Sequence, residues 1–156
     1  MKKTITIALL LAMVLLLCAC SDDSGMKAPE ISDLEKISEV REWLVSDIWN
    51  DGICDLSHYY YNGKSATGKS MDPEFSIEQL KKAYAKKAKY DEMMNSVSDE
   101  YSDLKEYYTK IMGQVDVLYA EILSRGTTVT NKGLDTGLYS QYFDAFDDRY
   151  FEIKYD

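Results

Sequence analysis

The sequence is short of basic residues, of histidine and of proline. Its 156 residues hold 18 Lys and Arg against 27 Asp and Glu, a formal net charge of −9, with one histidine. A surface of that sign repels phosphate backbones and anionic head groups, which excludes nucleic acid and acidic lipid as general partners. One histidine leaves little material for proton transfer or metal ligation, and no HExxH or comparable signature is present. Two prolines mean few breaks, and no stretch alternates polar and apolar for long enough to make a strand. What remains is apolar periodicity and thirteen tyrosines. Long amphipathic helices follow.

The N-terminus has a different character. Met1-Lys2-Lys3 is a short basic region, and the run from Ile5 to Leu17 is apolar apart from Thr6. That is the layout of a secretory signal, and the run is too short to cross a ~30 Å hydrocarbon core comfortably. It ends in Leu17-Cys18-Ala19-Cys20. This tetrapeptide resembles the lipobox of bacterial lipoproteins. The resemblance covers the first twenty residues and implies diacylglycerol on the Cys20 thiol, palmitate among the acyl chains, and cleavage before Cys20. It also implies a location on the extracytoplasmic face of the cell membrane.

On that reading residues 1–19 are the signal peptide, 20–29 the lipidated cysteine and its tether, and 30–156 one helical domain. Loss of Lys2 and Lys3 makes the mature chain more acidic still. Of the three cysteines, Cys18 is discarded and Cys20 acylated, so Cys54 has no intramolecular partner and reads as a buried structural thiol.

Wound at about 100° per residue, Leu34, Ile37, Leu44, Val45, Ile48, Leu56 and Tyr59 fall on one side. Helix one is therefore expected from Glu30 or Ile31 to Tyr61, ending at Asn62-Gly63, with Gly52 as a place to bend. Val40, Trp43, Cys54 and Tyr61 form a sparser second stripe, so this helix reads as a spine contacted from two directions. Helix two is expected from Ile77 to Val97, opened by a Ser76–Gln79 capping box and a Phe75–Leu80 staple.

Ser98 is placed to cap helix three, where Tyr101, Leu104, Tyr108, Ile111, Val115, Leu118 and Ile122 recur at spacings of three and four up to Gly126. Asp135 or Thr136 is placed to cap a last helix with Leu138, Tyr139, Tyr142, Phe146, Tyr150 and Ile153 inward. The fold class expected is all-α, a four-helix antiparallel bundle with a long first helix and a tight hairpin of helices two and three.

Five features carry possible chemistry. Gly63-Lys64-Ser65-Ala66-Thr67-Gly68-Lys69-Ser70 matches the G-x-x-x-x-G-K-[ST] pattern of a phosphate-binding loop. The chemistry needs a strand before the loop and a helix starting at the lysine. Here a helical pattern precedes it and Pro73 follows, so no nucleotide is expected. Asp51, Asp55 and His58, spaced four and three apart, share a helix edge and offer a metal site or a proton-transfer pair. A solvated edge is the simpler expectation.

Arg41 falls inside the apolar stripe, so it either snorkels to the rim or pairs with a carboxylate from another helix, Asp116 being one candidate partner. Lys81, Lys82, Lys86, Lys87 and Lys89 read as a solvated face that balances Asp144, Asp147 and Asp148. Trp43, Trp49, Tyr59, Tyr60 and Tyr61 flank Gly52, and of these Trp43, Trp49, Tyr60 and Tyr61 are the possible ligand surface. The expected function is a non-catalytic, lipid-anchored binding module with a protein or cell-wall partner and no cofactor. The alternative is a metal-binding or hydrolytic protein centred on Asp51, Asp55 and His58.

Overall fold

The computed structural model describes residues 31–156. The signal segment, the tether and the lipidation site Cys20 lie outside the described residues. All regular elements among the described residues are helical, so the fold is all-α. In chain order they are α1 (Asp33–Glu42), a π-helical segment (Trp43–Cys54), α2 (Asp55–Asn62), α3 (Pro73–Tyr84), α4 (Lys87–Asn95), α5 (Ser102–Arg125) and α6 (Gly137–Tyr155). A short 3₁₀ turn, Asp99–Tyr101, leads into α5. None of these helices is long and apolar enough to cross a membrane.

The first three elements join end to end into the expected long helix. It begins at Asp33, later than Glu30 or Ile31, because Ser32 is the N-cap: its hydroxyl accepts the amide of Glu35, whose carboxylate accepts the amide of Ser32. The Ser32-x-x-Glu35 spacing is a capping box in plain sight. The helix ends as expected at Gly63, whose positive φ of 76° lets its amide reach the carbonyl of Tyr59.

Between these ends the helix widens. A π-turn bonds each amide to the carbonyl five residues back, so side chains four and five apart share a face. Trp43, Leu44, Ile48, Gly52 and Ile53 are buried at such spacings. This corrects the stripe drawn at 100° per residue: Trp43, Ile53 and Tyr60 are buried, while Tyr59 is only half-buried and Tyr61 is exposed. Gly52 does not interrupt the helix. It lies against α3, where a Cβ would stand 2.7 Å from Leu80 Cδ1.

Helix two starts four residues earlier than expected. Asp72, not Ser76, is the N-cap, accepting the amides of Glu74 and Phe75, with Pro73 in the first turn where its missing N–H costs nothing. Phe75 is exposed and holds no staple. The helix also breaks at Ala85 and Lys86, because the Trp43 indole N–H donates to the Ala83 carbonyl (3.1 Å). The Lys86 amide reaches the same carbonyl in a tightened turn.

The seam of α5 is as expected: Leu104, Tyr108, Ile111, Val115, Leu118 and Ile122 are all buried. Gly126, at φ 56°, follows it. Ser98 has the extended backbone of a cap but makes no side-chain capping bond; its amide instead donates to Asp33 Oδ2 (2.9 Å), tying the start of helix one to the start of helix three. On α6, Tyr139, Phe146 and Tyr150 are buried, whereas Leu138 is exposed and leaves the inner face. Tyr60 from the first helix, Leu80 and Met94 from the second, Ile111 from the third and Phe146 from the last meet in one apolar cluster.

Candidate functional site

The aromatic residues separate into a structural set and a surface set. Trp43 is buried, stacked on Tyr90 with ring centroids 4.3 Å apart. Tyr60 is fully buried and donates its hydroxyl to the Gly126 carbonyl (2.9 Å). Neither is available to a ligand, a correction to the expected aromatic surface. Tyr61 is exposed beside a shallow groove with Ser57, His58 and Gly133.

Trp49 has a different setting. It is half-buried where the π segment meets α6 and stacks on Tyr139, with centroids 5.1 Å apart and planes 7° apart. Tyr139 lies nearly parallel to Phe143 in turn, at 6.1 Å. Tyr139 is anchored through its hydroxyl, which donates to the Leu44 carbonyl (3.1 Å) inside the π segment. Burial pushes its phenol well above the ordinary range, so it stays neutral and donating.

Val45 and Trp49 on one side, and Tyr139, Ser140, Phe143 and Asp144 on the other, enclose a groove of about 410 Å³. That volume is in the range of small-molecule sites. Its polar groups are few: the Ser140 hydroxyl and the Asp144 carboxylate stand beside an aromatic wall whose buried hydroxyl is already engaged. The arrangement suits a ligand with an apolar body and one polar head.

The acidic triad does not assemble. Asp51 and Asp55 face a groove shared with Asp72, Phe75 and Gln79, while His58 lines the separate one beside Gly133. Among the described residues no group of three His, Cys, Asp or Glu converges on a metal-sized site. Asp55 has another task, since its Oδ1 accepts the amide of Ala66 (2.8 Å) in the Gly63–Ser70 loop. Four more amides of that loop are also taken by the chain itself. Lys64 donates to Asn62 Oδ1, Ser65 to the Lys69 carbonyl, Gly68 to the Ser65 carbonyl and Lys69 to Ser65 Oγ. The loop follows a helix, α2, and its Lys69 stands four residues ahead of the start of α3 at Pro73, while a carboxylate occupies an amide that a phosphate would need.

Arg41 and most of the Lys81–Lys89 cluster have structural partners. Arg41 pairs with Asp147 of α6, not with Asp116, and its guanidinium lies over the Phe151 ring at 4.7 Å. Asp116 instead accepts the Tyr84 hydroxyl (2.9 Å). Of the five lysines from Lys81 to Lys89, four pair locally or with helix one and none with α6: Lys86 meets Asp47, Lys89 meets Glu39, Lys87 meets Asp91 and Lys81 meets Glu78. Cys54 is half-buried, and burial with the neighbouring Asp55 charge pushes its thiol up, away from the reactive thiolate.

Sequence reasoning missed the α6 side of the groove. Tyr139 was expected only as core, and Phe143, Ser140 and Asp144 were assigned no site. The signal was the pair Tyr139 and Phe143, four apart on one helix and so stacked on one face. A comparison with protein-family models, curated proteins and solved structures finds no significant match to this chain.

Proposed function

We propose that the chain is a non-catalytic binding module, a four-helix antiparallel bundle held on the extracytoplasmic face of the cell membrane by lipid on Cys20. The N-terminal resemblance supports the anchor, and paired contacts support the bundle. Along α5 and α6, Asp103 meets Arg149 while Lys110 lies over Tyr142, and along α4 and α5, Asp91 meets Tyr108. The observation that carries the binding reading is the groove built by Trp49, Tyr139 and Phe143. A π-helix is rare and concentrates at functional sites, and this one supplies a wall of the recess that Trp49, Tyr139 and Phe143 line together.

The alternative centred on Asp51, Asp55 and His58 lacks a shared pocket. Nucleotide is likewise no part of this proposal, given the Asp55 carboxylate on the Ala66 amide.

Two readouts on the full chain test the reading. Mass spectrometry of the mature N-terminus should find a diacylglyceryl Cys20 as the first residue, and an unmodified cysteine there overturns the anchor. The chain has two tryptophans, so its spectrum holds two indole N–H resonances. That of Trp49 should move during titration with at least one class among wall fragments, peptides and amines, while that of buried Trp43 stays still. Silence from Trp49 towards every class overturns the binding role.

A further inference from the structure

The groove between the π segment and α6 has a composition that selects among ligands. None of its six lining residues is basic. Its aromatic wall is Trp49, Tyr139 and Phe143, and its one charge is Asp144. Of the neighbouring acids, Asp148 is exposed, without an ion pair among the described residues and outside the groove lining, while Asp147 is neutralised by Arg41 and Asp47 by Lys86. Asp144 is likewise exposed and has no ion-pair partner among the described residues.

Aromatic carbon beside an unneutralised carboxylate, on a chain of net charge −9, favours a positive ligand. A sugar asks for several convergent donors and acceptors, and here Ser140 and Asp144 stand nearly alone because the Tyr139 hydroxyl is held by Leu44. An anion meets only repulsion.

Resting on the binding role proposed above, we infer that this groove takes a small organic cation of the alkylammonium class, its hydrocarbon against Trp49 and Phe143 and its charge beside Asp144. The recess of about 410 Å³ fits such a body. Attraction to the ring faces and to the carboxylate acts on the same charge, so loss of either weakens binding in part.

The test follows the Trp49 indole resonance of the full chain during titration with tetramethylammonium, with tert-butyl alcohol as a neutral body of similar size, and with N-acetylglucosamine. Tetramethylammonium should give a saturable shift at Trp49 and none at Trp43. The neutral alcohol should bind at least about fivefold more weakly, as expected when an exposed carboxylate and aromatic faces both act on charge. Asp144→Asn should weaken the cation about fivefold and leave the alcohol unchanged. Asp148→Asn, one turn further along and outside the groove, controls for net charge and should change affinity less than about twofold.

Equal binding of alcohol and cation, or preference for the sugar, overturns the cationic assignment while the binding role stands. Equal effects of the two Asp→Asn variants overturn Asp144 as the local partner. No shift at Trp49 with these probes removes the cation, and no shift with any ligand class removes the binding role with it.

Discussion

Gly52 in the π segment and Leu80 in α3 approach so closely that a Cβ on the glycine would stand 2.7 Å from Leu80 Cδ1 and 3.2 Å from its Cβ. Leu80 is fully buried, so it has little room to withdraw. Two effects oppose each other in Gly52→Ala. Alanine gains about 1 kcal/mol of helix propensity over glycine, whereas overpacking a closed core costs about 1–3 kcal/mol. The clash should win, with a net loss of about 1 kcal/mol in denaturant unfolding. Adding Leu80→Ala should abolish most of the penalty of the glycine substitution, a coupling that a double-mutant cycle reads directly.

The two tryptophans should behave oppositely. Trp43→Phe removes the donor to the Ala83 carbonyl and shrinks a buried ring stacked on Tyr90. It should cost about 2 kcal/mol in stability and shift the break at Ala85 and Lys86. Trp49→Ala should cost less in stability while emptying one wall of the groove. Thermal unfolding of both variants, beside ligand titration of the second, checks the separation.

Alkali should unfold the protein through its tyrosines. Burial, and then the hydrogen bond to Asp116, raise the Tyr84 phenol from 10.0 to about 12. Burial raises Tyr108 and Tyr139 further still. The native state therefore holds protons that the unfolded chain releases, so this stability is complete below about pH 10 and is lost as pH rises towards about 12. A phenolate absorbance titration should show exposed tyrosines ionising first and a cooperative step coinciding with loss of helical ellipticity. Asp116→Asn should move the Tyr84 ionisation to lower pH.

The Gly63–Ser70 loop should depend on Asp55 and be indifferent to nucleotide. Asp55→Ala leaves the Ala66 amide without its acceptor, so limited proteolysis within residues 63–72 should accelerate with little change in global unfolding. Calorimetry with magnesium and adenosine triphosphate should show no saturable heat for the wild type. Saturable binding that disappears in Lys69→Ala would overturn that expectation.

How far the sequence spoke for the structure depended on whether an element obeyed one period throughout. The α5 seam kept strict three-and-four spacing, and six of its seven positions are buried as expected, while the first, Tyr101, is half-buried in the turn before the helix. The end of helix one at Gly63 was equally legible, since only a residue tolerant of positive φ closes a helix that way. Winding at a constant angle failed across Trp43–Cys54 because a π-turn is fixed by tertiary partners, here the Tyr139 hydroxyl on the Leu44 carbonyl, which no local pattern encodes. That error put Trp43 on a sparse second stripe with Tyr61 and left Ile53 unassigned, although Trp43 and Ile53 are buried. The phosphate-loop match shows the converse: letters alone were satisfied, while Asp55 eleven residues away decides what the amides hold. For the groove, half was legible as Trp49, and the other half needed the pairing of α6 with the first helix.

The widened stretch has a last consequence, for the phase of the chain beyond it. Each residue in a π-turn advances through a smaller angle than in an α-turn, so α2 emerges under-rotated relative to α1. That accumulated lag brings Tyr60 round to Gly126 and Ser57 round to the amide of Leu134. Gly133 meanwhile lies where a Cβ would crowd Ser57 Oγ at 3.2 Å. Deleting one residue anywhere within 43–54 is therefore no local lesion: it re-times the helix, and the chain from 126 to 134 loses its moorings at a distance.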